Sequence, residues 1–135
     1  MPAPVELIQK VPLFADLDRK ELEDLAGWFK ERSFSEGDEV VSEGRGGIGF
    51  FVIEQGHASV TVHGDERGAL GPGDYFGEVA LIDEGARSAT ITAKDALRTY
   101  GLTSWEFRPL VENNASIAWK LLQTMAKRLR AAEGD

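Results

Sequence analysis

Residues 71–93 read GPGDYFGEVALIDEGARSATITA, and they hold a turn, a strand, a glycine, a loop and a second strand in direct succession. Gly71 to Asp74 is turn chemistry: proline presets one backbone angle, and glycine accepts the left-handed one. Tyr75 and Phe76 end a strand, Gly77 interrupts it, and Val79 to Ile82 continue as a short apolar helical turn. The first amide groups of such a turn have no partner within it, so they point outward and suit an anion. Gly77 lets a ligand approach the main chain closely, and the Ala80 N–H is the best-placed donor. Beyond the loop at 83–86, Arg87, Ser88 and Ala89 open an alternating run in which Ala89, Ile91 and Ala93 share one face. Arg87 falls on the opposite face.

The residue types point to one ligand with two kinds of group. The planar fork of Arg87 matches two phosphate oxygens, and Ser88 adds a hydroxyl and an amide as further donors. A carboxylate beside a phosphate repels it, so Glu78 makes sense against a different part of the ligand. Ionised Glu only accepts hydrogen bonds, and a sugar hydroxyl donates one. The site therefore reads as one for a ribose phosphate. The bland alternatives are a surface Glu78–Arg87 bridge, worth about 0–1 kcal/mol, and a Ser88 that is merely a small strand residue.

Outward from this stretch the texture changes twice. Between Phe34 and Leu102 short alternating runs are punctuated by turn residues at 36–38, 44–47, 54–56, 63–66 and 71–74. Closely spaced hairpins of this kind predict a mainly β fold, an antiparallel double-stranded β-helix (β-roll or jelly roll). On the N-terminal side, Asp18 and Glu21 have the form of a capping box, with Leu22, Leu25, Ala26 and Phe29 as an apolar stripe. On the C-terminal side Thr103 and Glu106 form a second box, Asn113 and Asn114 mark a break, and a last helix runs to about Ala132. The expected organisation is a single domain over 1–135, with helices at 1–32, the roll at 33–102 and helices at 103–135.

In that last helix Ile117, Leu121, Leu122, Met125 and Leu129 form a stripe predicted to pack on the roll. A homodimer seam, or a lid over the ligand, is the second reading. Trp28, Trp105 and Trp119 are expected in helix interfaces. His57 and His63 lack the close pair and acidic ligand of a jelly-roll metal site, so solvated turn histidines and no metal are expected.

Composition sets limits. A net charge of −8 argues against direct nucleic-acid binding, which needs clustered Lys and Arg. With no cysteine there is no disulfide framework or thiolate metal site, as suits a reducing compartment. No apolar run approaches the roughly 20 residues of a membrane span, and MPAPVELIQK has no signal-peptide core, so a cytoplasmic protein with no membrane association is expected.

The run FGEVALIDEGARSATITA resembles the phosphate-binding cassette of the cyclic nucleotide-binding domain family, the module of catabolite activator proteins and cyclic-nucleotide-dependent kinases. Phe76, Gly77, Glu78, Ala80, Leu81, Arg87, Ser88 and Ala89 fill its pattern. Val40, Val41, Gly44, Gly47, the run Phe50 to Ile53, and Gly56 match an upstream signature, while Arg45 departs from it. The resemblance implies a ligand site of Phe76, Gly77, Glu78, Val79, Ala80, Arg87, Ser88 and Ala89, with Val60 and Leu70 facing the base or serving as ordinary core. It implies that cAMP, or else cGMP, is the ligand and that no cofactor is needed; Ser88 leans the choice toward cAMP. It also implies a regulatory module, not an enzyme, in which the C-terminal helices move when ligand binds. A protein-interaction domain with weak or no nucleotide binding is the alternative. Partners would be a second copy, through the last helix, or an effector protein. A cupin-type enzyme would need a metal that two histidines alone do not hold.

Overall fold

The computed structural model describes residues 3–42, 44, 49–77, 81–82 and 89–134. Helix α1 (Val5–Gln9), a 3-10 turn (Pro12–Phe14) and α2 (Arg19–Ala26) precede the strands. The described strands are β1 (Lys30–Phe34), β2 (Glu39–Val41), β3 (Phe50–Gln55), β4 (Ala58–Val62), β5 (Asp65–Leu70), β6 (Tyr75–Phe76), β7 (Thr90–Ala93) and β8 (Leu97–Leu102). Helices α3 (Ser104–Glu112) and α4 (Ala115–Glu133) follow. The strands form two four-stranded antiparallel sheets, ordered β1-β8-β3-β6 and β2-β7-β4-β5. This is the expected mainly β roll with flanking helices, its strand structure beginning at Lys30 instead of 33.

β3 explains the layering. Its run Phe50 to Ile53 is buried on both faces, as a strand must be when each side meets another layer. Phe50 and Val52 join the helical-side core with Phe14, Phe29, Tyr100, Leu102, Phe107, Ile117 and Leu121. Phe51 and Ile53 point into the roll, among Val40, Val41, Ala58, Ile91, Ala93 and Leu97. Phe50 meets Phe14 and Phe29 edge-on at 5.8 and 5.9 Å, an arrangement that aligns ring edges with ring faces.

The turns follow from local chemistry. His63 (φ 53) and Gly64 (φ 82) close the β4–β5 hairpin with two left-handed residues, the pattern that matches strand twist. Gly56 admits no side chain, because a Cβ there would lie 2.3 Å from the Ala96 carbonyl oxygen.

Both capping signals have physical form. Asp18 accepts from the Glu21 N–H at 2.8 Å, and Glu21 accepts from the Asp18 N–H at 2.9 Å. Glu106 reaches back to the Thr103 N–H at 3.2 Å, and the Thr103 hydroxyl donates to the same oxygen at 2.6 Å. The break arises because Asn113 and Asn114 donate side-chain N–H bonds to the Pro109 and Leu110 carbonyls at 2.7 and 2.6 Å, closing the end of α3.

Two expectations about the helices are corrected. The apolar stripe of α4 is divided: Ile117 and Leu121 are buried and Met125 is half-buried, whereas Leu122 and Leu129 are each 61% exposed. The face that α4 turns inward is set by Ile117, Leu121 and Thr124 and by a polar clasp to the N-terminal elements. Lys120 reaches Glu21 at 2.7 Å, Ser116 donates to Glu21 at 2.8 Å, and Lys127 reaches Asp16 at 3.2 Å. The tryptophans are also outside the interfaces expected of them, with Trp28, Trp105 and Trp119 being 45%, 64% and 63% exposed.

Candidate ligand-binding site

The approach to the site is built by the turn at 71–74. Pro72 occupies its second position and Gly73, at φ 90, its third; the Asp74 N–H donates to the Gly71 carbonyl at 3.0 Å. The Asp74 carboxylate accepts from the Gly71 N–H at 2.7 Å. Two bonds of 2.8 Å, Gly73 N–H to the Ile53 carbonyl and Ile53 N–H to the Asp74 carbonyl, fix the turn on β3.

That anchoring delivers β6 in register, with Phe76 opposite Phe51. The two rings stack at 5.3 Å with 25° between their planes. Gly77 follows at φ 85, a backbone region that favours glycine. Glu78, Val79 and Ala80 lie outside the described residues, as do Arg87 and Ser88, and so do Arg45 and Gly47 of the upstream signature. On the far side of 78–80, Leu81 is buried in the helical-side core and Ile82 is exposed. Leu81 and Ile82 form one wall of a cleft of about 470 Å³ whose other wall is α3, through Ser104, Trp105, Phe107 and Val111.

The apolar wall is assembled from three strands. Val60, Leu70 and Phe76 are half-buried and pack against the same interior cluster. Register explains their meeting: Val60 stands opposite Gly68 and Ile91, and Leu70 opposite Ala58. Ala89 is half-buried just before β7, in which Ile91 and Ala93 face the interior as the alternation requires. Of the ten expected site residues, the structure thus brings Val60, Leu70 and Phe76 to one cluster and sets Gly77 and Ala89 on the segments flanking it.

Two residues outside the expected site stand behind it. Phe51, within the run Phe50 to Ile53, backs Phe76. Asp95 ties two turns together: it accepts from the His57 N–H at 2.7 Å and lies 2.8 Å from His57 Nδ1. The His57 contacts hold the Asp95 carboxyl below the usual carboxylate range. The same His57 ring flanks Gly71, where an added Cβ would meet it at 3.4 Å. Among the described residues no group of three His, Cys, Asp or Glu side chains forms a metal cluster, and no helix is long and apolar enough to cross a membrane.

Comparison with known proteins agrees with this geometry. The cyclic nucleotide-binding domain model matches residues 31–114. The cAMP-dependent protein kinase regulatory subunit of Yarrowia lipolytica is 37% identical over 106 residues, spanning 77% of this chain but 28% of the subunit. The N-terminal domain of a transcriptional regulator from Streptomyces coelicolor A3(2) superposes with a TM-score of 0.87 at 28% identity, covering 95% of this chain and 92% of that one. The cAMP-bound PfPKA-R (141–441) superposes with a TM-score of 0.69 at 26% identity, covering 88% of this chain and 45% of that one. With the model match extending over more than half its length and the roll observed, this chain belongs to the cyclic nucleotide-binding domain family.

Proposed function

We propose that this domain is a cyclic nucleotide sensor that takes cAMP in preference to cGMP and performs no chemistry on it. The observation that carries the reading is the course of the chain at the cassette. Phe76 packs against the roll interior, Gly77 adopts φ 85, and Leu81 is buried in the helical-side core, so the two ends of the cassette turn are held by different cores. In this reading Arg87, Ser88 and the amides of Val79 and Ala80 hold the cyclic phosphate. Glu78 accepts from the ribose hydroxyl, Gly77 and Ala89 give the backbone room, and Val60, Leu70 and Phe76 form the apolar wall for the base.

Support comes from the cassette residue types and from two comparisons, one named for cAMP dependence and one solved with cAMP bound. Ser88 after the arginine favours adenine on the family pattern. The cleft between Leu81–Ile82 and α3 supplies a route for the signal: tightening of the cassette shifts Leu81, and α3 and α4 follow as a hinge. The domain would act in the cytoplasm, without direct contact to nucleic acid.

The exposed face of α4 supports a partner role beside ligand binding. Trp119, Leu122, Ala126 and Leu129 are spaced alternately three and four apart, the repeat of a paired helix, and all four are exposed. A homodimer through this face is the proposed assembly, with an effector protein on the same face as the second reading. Calorimetric titration with cAMP and cGMP side by side tests the sensor: saturable binding, tighter for cAMP, is expected, and no heat with either nucleotide overturns it.

A further inference from the structure

The edge strand β1 carries two exposed charged side chains, Lys30 and Arg32, on the face it shares with Phe34. Lys30, Arg32 and Phe34 alternate onto one face of the strand. Phe34 meets Phe51 edge-on at 6.1 Å inside the roll. A Cβ on Gly101 would lie 3.0 Å from the Phe51 ring and 3.6 Å from Arg32 Cγ, so the arginine stem runs along the same face as that ring. Together with Val40, these residues line a cavity of about 90 Å³. The cavity opens to solvent past the exposed Lys30 and Arg32, so a small solute can reach it.

The charges at the cavity are unevenly matched. Lys30 is paired with Glu106 at 3.0 Å. Burial pushes the Glu106 carboxyl up, but the bonds from Thr103 and Lys30 outweigh it and hold the group below its ordinary value, so it stays ionised beside Lys30. Among the described residues no carboxylate pairs with the Arg32 guanidinium, and the Arg32 backbone carbonyl accepts from the Thr99 hydroxyl at 3.0 Å. A planar cation over an aromatic and aliphatic pocket matches one ligand chemistry, a carboxylate with a short apolar tail.

We propose that this cavity is a second ligand site, which takes a short-chain aliphatic carboxylate whose carboxyl group pairs with Arg32 and whose chain lies against Phe34, Val40 and Phe51. An apolar cavity of about 150 Å³ holds benzene, so this smaller one suits a tail of about three carbons. Phe51 lines the cavity and also stacks on Phe76, which makes the occupant a neighbour of the segment leading to Gly77. The site stands independently of the cyclic nucleotide reading.

The test is a titration of ¹⁵N-labelled protein with sodium butyrate, followed at the Gly49 and Gly101 amides, with n-butylammonium chloride at equal ionic strength as the control. Saturable shifts with butyrate, no saturation with butylammonium, and at least about fivefold weaker butyrate binding in Arg32→Gln are expected. Arg32 lies at an exposed position on an edge strand, so the variant is expected to retain the parent spectrum elsewhere. A parent protein that shows no saturable shift, or an Arg32→Gln variant that binds butyrate equally well, overturns the proposal. Lys30 and Arg32 would then be edge-strand charges that protect an exposed sheet edge from pairing.

Discussion

Phe51 and Phe76 stand opposite each other on β3 and β6 with their rings stacked at 5.3 Å, so the residue that precedes the cassette glycine is held by a ring of the roll interior. Such pairs contribute about 0.5–1.5 kcal/mol beyond the area they bury. A double-mutant cycle of Phe51→Leu and Phe76→Leu, measured by urea unfolding, is expected to give a coupling of about 1 kcal/mol. Strict additivity of the two changes would show that the stacking contributes nothing of its own.

Gly77 adopts φ 85, where a side chain introduces strain of about 1–2 kcal/mol. Gly77→Ala is expected to lower the unfolding free energy by about that amount and to weaken cAMP binding. Urea melts and a binding isotherm on the same preparation check both effects. An alanine variant as stable as the parent would contradict the backbone geometry.

Glu21 is shared among the α2 cap, Ser116 and Lys120, and the Lys120 bond, more than any other contact, lowers its carboxyl from 4.5 to about 2. A depressed folded-state value means that the ionised form stabilises the fold above the unfolded value, and that this contribution is lost as pH falls from 4.5 toward 2. Glu21→Gln is expected to destabilise by about 1–2 kcal/mol at pH 6, with the gap from the parent closing as the pH drops through that window. Melting curves from pH 6 to pH 2.5 read the effect. A gap independent of pH would remove the charge from the explanation.

Arg87 is the proposed phosphate ligand. At free cAMP about 100 times the dissociation constant, the parent gains about 2.7 kcal/mol of stability by mass action. Arg87→Ala is expected to lose nearly all of that gain while melting close to the parent without ligand. A thermal shift series with cAMP and cGMP resolves this, and an undiminished response in the variant would take the arginine out of the site.

Leu122 and Leu129 lie on the exposed face of α4, so charge placed there should disturb assembly more than folding. Leu122→Glu with Leu129→Glu is expected to leave the melting temperature nearly unchanged and to convert dimer to monomer in sedimentation equilibrium. A parent protein that sediments as a monomer at micromolar concentration would exclude the self-pairing.

Much of the architecture was legible because it is written in local chemistry. Proline and glycine place the turn at 71–74, and Asp18, Glu21, Thr103 and Glu106 mark helix starts. The cassette pattern could be read from residue types and their spacing, because the proposed ligand groups, a phosphate and a sugar, demand particular donors and acceptors in order. What only the tertiary structure decided is which surfaces meet. Periodicity groups residues on one face of α4 but does not choose its partner, and the clasp of Lys120, Ser116 and Lys127 to Glu21 and Asp16 turned Leu122 and Leu129 outward. The stacking of Phe51 on Phe76 and the bond of His57 to Asp95 likewise depend on strand register between distant segments. Hydrophobic burial has no direction of its own, so such pairings emerge only when the whole chain has closed on itself.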